Sequence, residues 1–433
     1  MKSYGIGLLG FGTIGAGVVE GLQNDGELLT SRTGINLSVA RIADLDLKSD
    51  RGVEVDPSIM TQDAFAVVES PDVDIVVELI GGTKVAKELT LKALSLGKPV
   101  VTANKAMLAE HGNEIYKAAN ESNADVFYEA SVGGGIPIIR SLREALIANH
   151  IESIYGILNG TCNYILTRME QDNAPFEEVL AEAQAAGYAE ADSSLDVDGI
   201  DTSHKAVILA SLAYGQHVPL DSITVKGIRG LDTMDIQYAR ELGYRIKLLA
   251  VIKHVDGEVT VGVYPALVPL RHMMASVTGV FNAVMVKGDV VGDTLYYGRG
   301  AGRMPTASAV LGDIVDAARN LMFAANRRVP DFVAHGLYEN LCDEGEVRTR
   351  YYLRVSLVDQ PGMIGRVATI LGRHGISITS IIQKESSSGR HVPVIFLTHQ
   401  AREKQFSAAI SEIDAQDETA QATVAFRIED FEA

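Results

Sequence analysis

The stretch LLGFGTIGAGVVEGLQ, residues 8–23, decides the fold. An apolar run ends at Gly10-Phe11-Gly12-Thr13-Ile14-Gly15, and helical character follows through VVEGLQ. Where G-x-G-x-x-G joins a strand to a helix, its glycines permit a tight turn, close backbone approach to a pyrophosphate, and close helix–strand packing. The free N–H groups of the helix start then receive the anionic phosphates. The spacing predicts a Rossmann-type unit with Gly10, Gly12 and Gly15 against a dinucleotide.

Further strand-like runs follow at INLSVARIAD (35–44), DIVVELIGG (74–82), KPVVTAN (98–104) and DVFYEASVGGG (125–135), alternating with helix-like segments. Such alternation argues for an α/β fold, a parallel sheet with helices on both faces. The ribose-reading carboxylate of this fold closes the second strand. Asp44 could hold the ribose hydroxyls of NAD, while Arg41 or Lys48 could meet the 2′-phosphate of NADP, so either cofactor remains open.

The remaining chain changes character. ESIYGILNGTCNYILTRM (152–169) reads as a strand turning into a helix at Asn159-Gly160. PFEEVLAEAQAAG (175–187) is a helix with proline near its start and glycine at its end. LLAVIKHVDGEVTVGVYP (248–265) is a hairpin about Asp256-Gly257. The pattern implies a mixed α/β second domain; a nucleotide-binding domain over 1–135, completed by 301–325, and a catalytic and dimerisation domain over 136–300 are expected. A linker over 326–349 leads to a final domain, 350–433, whose strand–helix–strand–strand–helix–strand order is ferredoxin-like.

At 433 residues, two or three domains are expected. The net charge of −18, from 56 acidic and 38 basic residues, opposes nucleic-acid binding. No apolar run reaches the ~18 residues of a membrane span, and the N-terminus lacks a signal peptide's cleavage site. Cys162 and Cys342 are too few for a disulfide framework or a cysteine-rich metal site. A reducing cytoplasm fits.

The chemistry concentrates in DVDGIDTSHK, residues 196–205, which runs into the apolar AVILASLAYG. An EF-hand reading fails, because aligning Gly199 to the loop glycine puts Lys205 where a bidentate glutamate is needed. A capped helix with an Asp201–Lys205 pair at i, i+4 accounts for part of the pattern. The functional alternative places Lys205 at a cleft. Burial lowers a lysine's pKa while Asp196, Asp198 and Asp201 raise it, so an ammonium can be held and still give up a proton. A carbonyl accepting a hydride needs that donor. Lys105, after the strand VVTAN at the carboxyl edge of the sheet, is the other candidate.

AGYAEADSSLDVDGIDTSHK is similar to the signature of the homoserine dehydrogenase family, and GILNGTCNYIL, VTANKAML, EASVGGGIP and GAGRMPTASAV resemble its other blocks in the same order. Asp192-Ser193 stands where the family often has Asp-Pro. The resemblance covers essentially the whole chain and implies NAD(P)-dependent interconversion of L-aspartate 4-semialdehyde and L-homoserine, with NADP slightly favoured, on the route to threonine, methionine and isoleucine. It implies Lys205 as proton donor and Lys105 between cofactor and substrate. It further implies Glu190, Asp201 and Asp196 on the amino-acid substrate, and Phe11, Thr13, Ile14, Gly187 and Gly302 with the loop glycines on the cofactor. A structural sodium ion is implied at Glu129 and the carbonyls of Val132, Gly134 and Ile136.

The tail VSLVDQPGMIGRVATILGRHGISI (355–378) resembles the ACT domain, a ligand-binding regulatory module. Free N–H groups at Asp359-Gln360-Pro361-Gly362 could receive an amino acid's carboxylate. The resemblance implies a threonine effector and a homodimer or homotetramer. A ferredoxin-like domain used only for subunit contacts is the alternative.

Overall fold

The computed structural model of the chain describes residues 2–338, 340–384 and 391–431. In chain order its elements begin with β1 (Lys2–Leu9), α1 (Thr13–Thr33), β2 (Ile35–Ala43), β3 (Met60–Thr61), α2 (Ala64–Glu69), β4 (Ile75–Glu78), α3 (Lys84–Ser95), β5 (Val100–Thr102), α4 (Lys105–Ser122) and β6 (Val126–Phe127). Next come α5 (Ile138–Arg140), β7 (Ile151–Ile157), α6 (Gly160–Asp172), α7 (Phe176–Ala185), α8 (Ser194–Val197), α9 (Ile200–Tyr214), β8 (Thr224–Val225) and α10 (Thr233–Glu241). The chain continues through β9 (Tyr244–Val255), β10 (Glu258–Pro269), β11 (Phe281–Gly288), β12 (Gly292–Arg299) and α11 (Arg303–Phe323). It ends with β13 (Arg348–Val358), α12 (Met363–Arg373), β14 (Ile378–Gln383), β15 (His391–Thr398), β16 (Ala401–Arg402), α13 (Glu403–Asp414) and β17 (Val424–Ile428).

Two compact units emerge. The first comprises Met1–Gly160, Asp201–Ser222 and Val280–Glu339; the second comprises Thr161–Ile200, Ile223–Gly279 and Asn340–Ala433. The first contains a six-stranded sheet in the order β3-β2-β1-β4-β5-β6, parallel throughout. This is the doubly wound order, with its switch point between β1 and β4, where such folds bind dinucleotides. Ile6 and Leu8 of β1, Ile75 and Val77 of β4, and Val101 of β5 are fully buried and pack with Val18 and Val19 of α1 and Val310 and Ile314 of α11. Burying each such side chain contributes roughly 1.5–3 kcal/mol, and this core fixes the strand ends that carry the site. The antiparallel strands β12-β11-β7, outside the six-stranded sheet, belong to the same unit. The run 125–135 keeps only Val126–Phe127 as strand, because the chain turns at Glu129–Ser131 and then into glycines.

In the second unit, β9 and β10 form the hairpin expected at Asp256-Gly257, and both turn residues have positive φ. β10 also pairs in parallel with β8 and β17. The order β17-β13-β15-β14 is antiparallel, with α12 and α13 covering a core of Leu353, Val355, Leu371, Phe396, Phe406 and Ile413. The ferredoxin-like order is present, with the short β16 added between β15 and α13.

Candidate active site

Gly10 and Phe11 leave β1 and Gly12 caps α1 with extended φ, so Thr13, Ile14 and Gly15 form the helix's first turn at the carboxyl edge of the sheet. A Cβ on Gly15 would lie 2.2 Å from the Gly10 carbonyl oxygen, so glycine alone lets the turn close. The Phe11 N–H donates to Asp44 Oδ2 at 2.6 Å, and Asp46 N–H donates to Asp44 Oδ1 at 2.8 Å. Asp44 thus ties the end of β2 to the glycine loop.

One cationic candidate at that edge needs correction. Arg41 is paired with Asp72 at 3.0 Å and is held there rather than presented at the end of β2. The guanidinium beside the Asp44 loop is that of Arg51, 3.1 Å from Asp46 and 3.9 Å from Asp44. Lys48 contributes its backbone N–H to Asp46. Gly302, with φ of +119°, caps α11 in this same unit.

The ends of β4 and β5 are tied together by a buried carboxyl that sequence reading missed. Glu78, fully buried, accepts from Thr102 Oγ1 at 2.6 Å and from the Ile80 N–H at 3.0 Å. Burial pushes its pKa up against these bonds. Asn104 donates to the Gly82 carbonyl at 2.7 Å and caps α4 by accepting from the Met107 N–H. The cap fixes where Lys105, the first residue of α4, emerges.

Lys205 sits one turn into α9, whose residues from Thr202 to Ala210 are buried. Its Nζ donates to the Leu158 carbonyl and to Asp201 Oδ2, each at 2.6 Å. Asp201 Oδ1 lies 3.1 Å from Lys105 Nζ, and Asn159 Nδ2 donates to Oδ2 at 3.0 Å. One carboxylate therefore gathers both lysines. Burial alone would raise the Asp201 pKa, but the ammonium groups of Lys205 and Lys105 and the bonds from Lys205 and Asn159 hold it well below the usual carboxylate range. The i, i+4 pair of the capped-helix reading is real and is part of the cluster. Asn159 was visible in the NGT block without a role, because its partner is 42 residues away.

Of the three aspartates expected around the ammonium, Asp198 is engaged elsewhere. It accepts from Arg229 through both carboxylate oxygens, at 2.7 and 3.0 Å, within the second unit. That unit also carries Gly187 and Glu190 on the exposed turn after α7, and Asp196 in the short helix α8. The Asp196 carbonyl accepts from Cys162 Sγ at 3.2 Å, and Thr161 Oγ1 donates to the Tyr188 carbonyl at 2.6 Å, joining the start of α6 to this segment. Where the family often has proline, Ser193 is followed by Ser194, whose N–H and hydroxyl both bond Asp192.

Glu129 is buried and accepts from the N–H groups of Ile139 at 2.9 Å and Arg140 at 2.8 Å. Its own N–H donates to Asp313 Oδ2 at 2.8 Å. Burial raises the Glu129 pKa, and burial followed by the neighbouring Glu129 charge pushes Asp313 up to about 8. Arg140 Nη2 lies 3.3 Å from Asp313 Oδ1, so a guanidinium already faces this pair of carboxyls. Each Glu129 oxygen keeps a second lone pair, and the carbonyls of Val132, Gly134 and Ile136 belong to the turn that follows. The Ile136 carbonyl also accepts from Ile138 N–H. Carboxylate and carbonyl oxygens are the donor type that a hard cation takes. Among the described residues, no group of three or more His, Cys, Asp or Glu side chains could hold a metal ion, and no helix is long and apolar enough to cross a membrane.

Comparison with known proteins converges. Family models described as "Homoserine dehydrogenase, NAD binding domain", "Homoserine dehydrogenase" and "ACT domain" match residues 10–129, 137–315 and 351–418. A homoserine dehydrogenase of Neisseria gonorrhoeae is 44% identical over 421 residues, spanning 96% of each chain. One of Pseudomonas aeruginosa is 44% identical over 435 residues, spanning 99% of each. The crystal structure of a homoserine dehydrogenase from Thiobacillus denitrificans superposes with a TM-score of 0.93 at 43% identity, covering 100% of this chain and 99% of that one. A hyperthermophilic archaeal homoserine dehydrogenase in complex with NADPH gives 0.63 at 28% identity, covering 74% and 98%. The chain belongs to the homoserine dehydrogenase family: an NAD(P)-dependent oxidoreductase of amino-acid biosynthesis with a C-terminal ACT domain.

Proposed function

We propose that this homoserine dehydrogenase interconverts L-aspartate 4-semialdehyde and L-homoserine with Lys205 as the proton donor. The observation that carries the reading is the Lys205–Asp201–Lys105 cluster, in which a shared carboxylate holds a buried ammonium charged and aimed. When bound, a nicotinamide supplies the hydride. Negative charge then grows on the aldehyde oxygen, and Lys205 Nζ delivers its proton there. Asp201 stabilises the charged donor before the transfer, and the Leu158 carbonyl fixes its direction. Lys105, more exposed, orients cofactor and substrate and shares the developing charge. Because the described donors on Asp201 are both lysines and Asn159, Asp201 serves the substrate through the groups it holds. Glu190 and Asp196 receive the substrate's α-ammonium group.

The dinucleotide lies along Gly10, Phe11, Gly12, Thr13, Ile14 and Gly15, with Gly187 and Gly302 lining it. NADP is the favoured form: Arg51 stands at the end of β2, where a 2′-phosphate would meet it. A sodium ion held by Glu129 and the carbonyls of Val132, Gly134 and Ile136 would stiffen the turn after β6. The ACT domain takes threonine on the loop 359–362. The exposed Val290, Val291 and Tyr297 of the β11–β12 ribbon support a homodimer or homotetramer, and Cys162 and Cys342, which are not joined in a disulfide, support a cytoplasmic setting.

Following NAD(P)H formation spectrophotometrically with L-homoserine and each cofactor tests the reading. Homoserine-dependent reduction, faster with NADP, is expected. No reduction with either cofactor, or preference for another amino alcohol, would overturn it.

A further inference from the structure

The strongest unused feature of the second unit is a buried ionic node away from the lysine cluster. Asp235, 1% exposed in the first turn of α10, accepts from Arg354 Nε at 2.7 Å and Nη2 at 2.8 Å. The hydroxyl of fully buried Tyr352 adds a third bond at 2.9 Å. Both partners lie on β13, the strand that runs into the loop 359–362. At the other end of α10, Lys384 pairs with Glu241 at 2.7 Å and sits 4.8 Å from the centre of the Tyr238 ring. The C-terminal domain therefore grips α10 at both ends. Buried ion pairs are poor sources of net stability, but a fork locked on a carboxylate fixes geometry.

The loop feeding α10 is fastened in turn to the substrate segment. Ile228 N–H donates to the Val197 carbonyl at 2.7 Å. A Cβ on Gly227 would stand 1.9 Å from that same oxygen, so the two strands of chain are in direct backbone contact. Arg229 closes on Asp198 with two bonds and reaches Ser194 Oγ at 3.4 Å. Residues 194–198 carry Asp196, and Glu190 lies four residues before Ser194. The series β13, Asp235, α10, Arg229 and Asp198 is thus unbroken.

We infer that Arg354 is a positioning residue for the amino-acid substrate, acting through Asp235 and the Gly227–Arg229 clasp on the segment that carries Glu190 and Asp196. The inference rests on the proposed roles of Glu190 and Asp196. It gives the C-terminal domain a specific lever. A change on β13 alters how well homoserine is held, leaving cofactor affinity and proton transfer unchanged.

The test uses the full chain with Arg354→Lys, which keeps the charge but loses the fork, and with Arg229→Ala, an exposed position that does not threaten folding. Each should raise KM for homoserine about tenfold, in the range of ordinary site coupling. Turnover at saturation and cofactor affinity, followed by nicotinamide fluorescence, should stay within about twofold. Amide hydrogen exchange of residues 190–198 should quicken in both. Unchanged KM and exchange in folded variants would overturn the inference, as would turnover and cofactor affinity falling in step with KM. A wild-type chain that does not oxidise homoserine would instead sink the functional reading, while the exchange measurement would still decide whether the clasp is mechanically connected to β13.

Discussion

Two buried lysines in different units make nearly the same contacts and stand under opposite rules. Lys205 donates to the Leu158 carbonyl and to the carboxylate of Asp201. Lys247 on β9, 1% exposed, donates to the Val277 carbonyl and to the carboxamide oxygen of Asn163, at 2.9 Å. For Lys247, burial and then the Arg245 charge push the pKa down to about 7, against the opposing charge of Glu170. For the Lys205 pair, the ammonium groups overcome burial and keep Asp201 ionised. An amide oxygen can orient a buried ammonium; a full negative charge is needed to keep it protonated. The site differs from a structural lysine by the charge of one neighbour.

Neutralising that neighbour should have the largest effect. Asp201→Asn is expected to lower turnover ~100-fold at neutral pH, within the range of acid–base catalysis. Without the anion, the Lys205 ammonium loses its proton more readily. The reduction direction needs that proton, so the alkaline limb of its pH–rate profile should move to lower pH. Steady-state rates across pH check this; an unmoved limb would mean Asp201 does not govern the donor.

Asn159→Ala removes one bond to the same carboxylate and leaves both lysines. A loss of about tenfold in kcat/KM is expected, the size of a hydrogen bond to a charged group. Measured rates equal to wild type would detach Asn159 from the cluster.

Lys247→Met should leave turnover within about twofold and change stability instead. The folded pKa of about 7 lies below the ordinary 10.5, so between those values the unfolded chain binds more protons. Wild-type stability therefore gains from this residue as pH rises through that window, by up to ~1.4 kcal/mol per pH unit. Denaturant unfolding from pH 7 to 10 should show the variant losing that slope. An identical slope would place the ionised Lys247 in a better-compensated environment than the structure shows.

Much of this was legible in the residues because it depends on local spacing. The glycine loop, the hairpin at Asp256-Gly257, the ferredoxin-like order of the tail and a lysine entering a buried helix each follow from a period or a short motif. What escaped depends on partners distant in sequence. Asp198 shares the DVDGIDTSHK stretch with Lys205 yet belongs to Arg229, 31 residues on. Arg41 has the right place near the end of β2, but Asp72 takes it, leaving Arg51 beside Asp44. Glu78 was not singled out within DIVVELIGG, and its bond to Thr102 exists only because β5 lies alongside β4. The grip of Arg354 on Asp235 spans 119 residues, and no local pattern could announce it.

The account stands on Lys205 as the donor, and chemical rescue tests it most directly. Lys205→Ala should lose ~1,000-fold in turnover, as expected for removing a general acid, while binding cofactor normally. Added methylammonium should restore part of the rate, and should do nothing for Lys247→Met. A Lys205→Ala enzyme turning over at close to the wild-type rate, with no response to added amine, would contradict it.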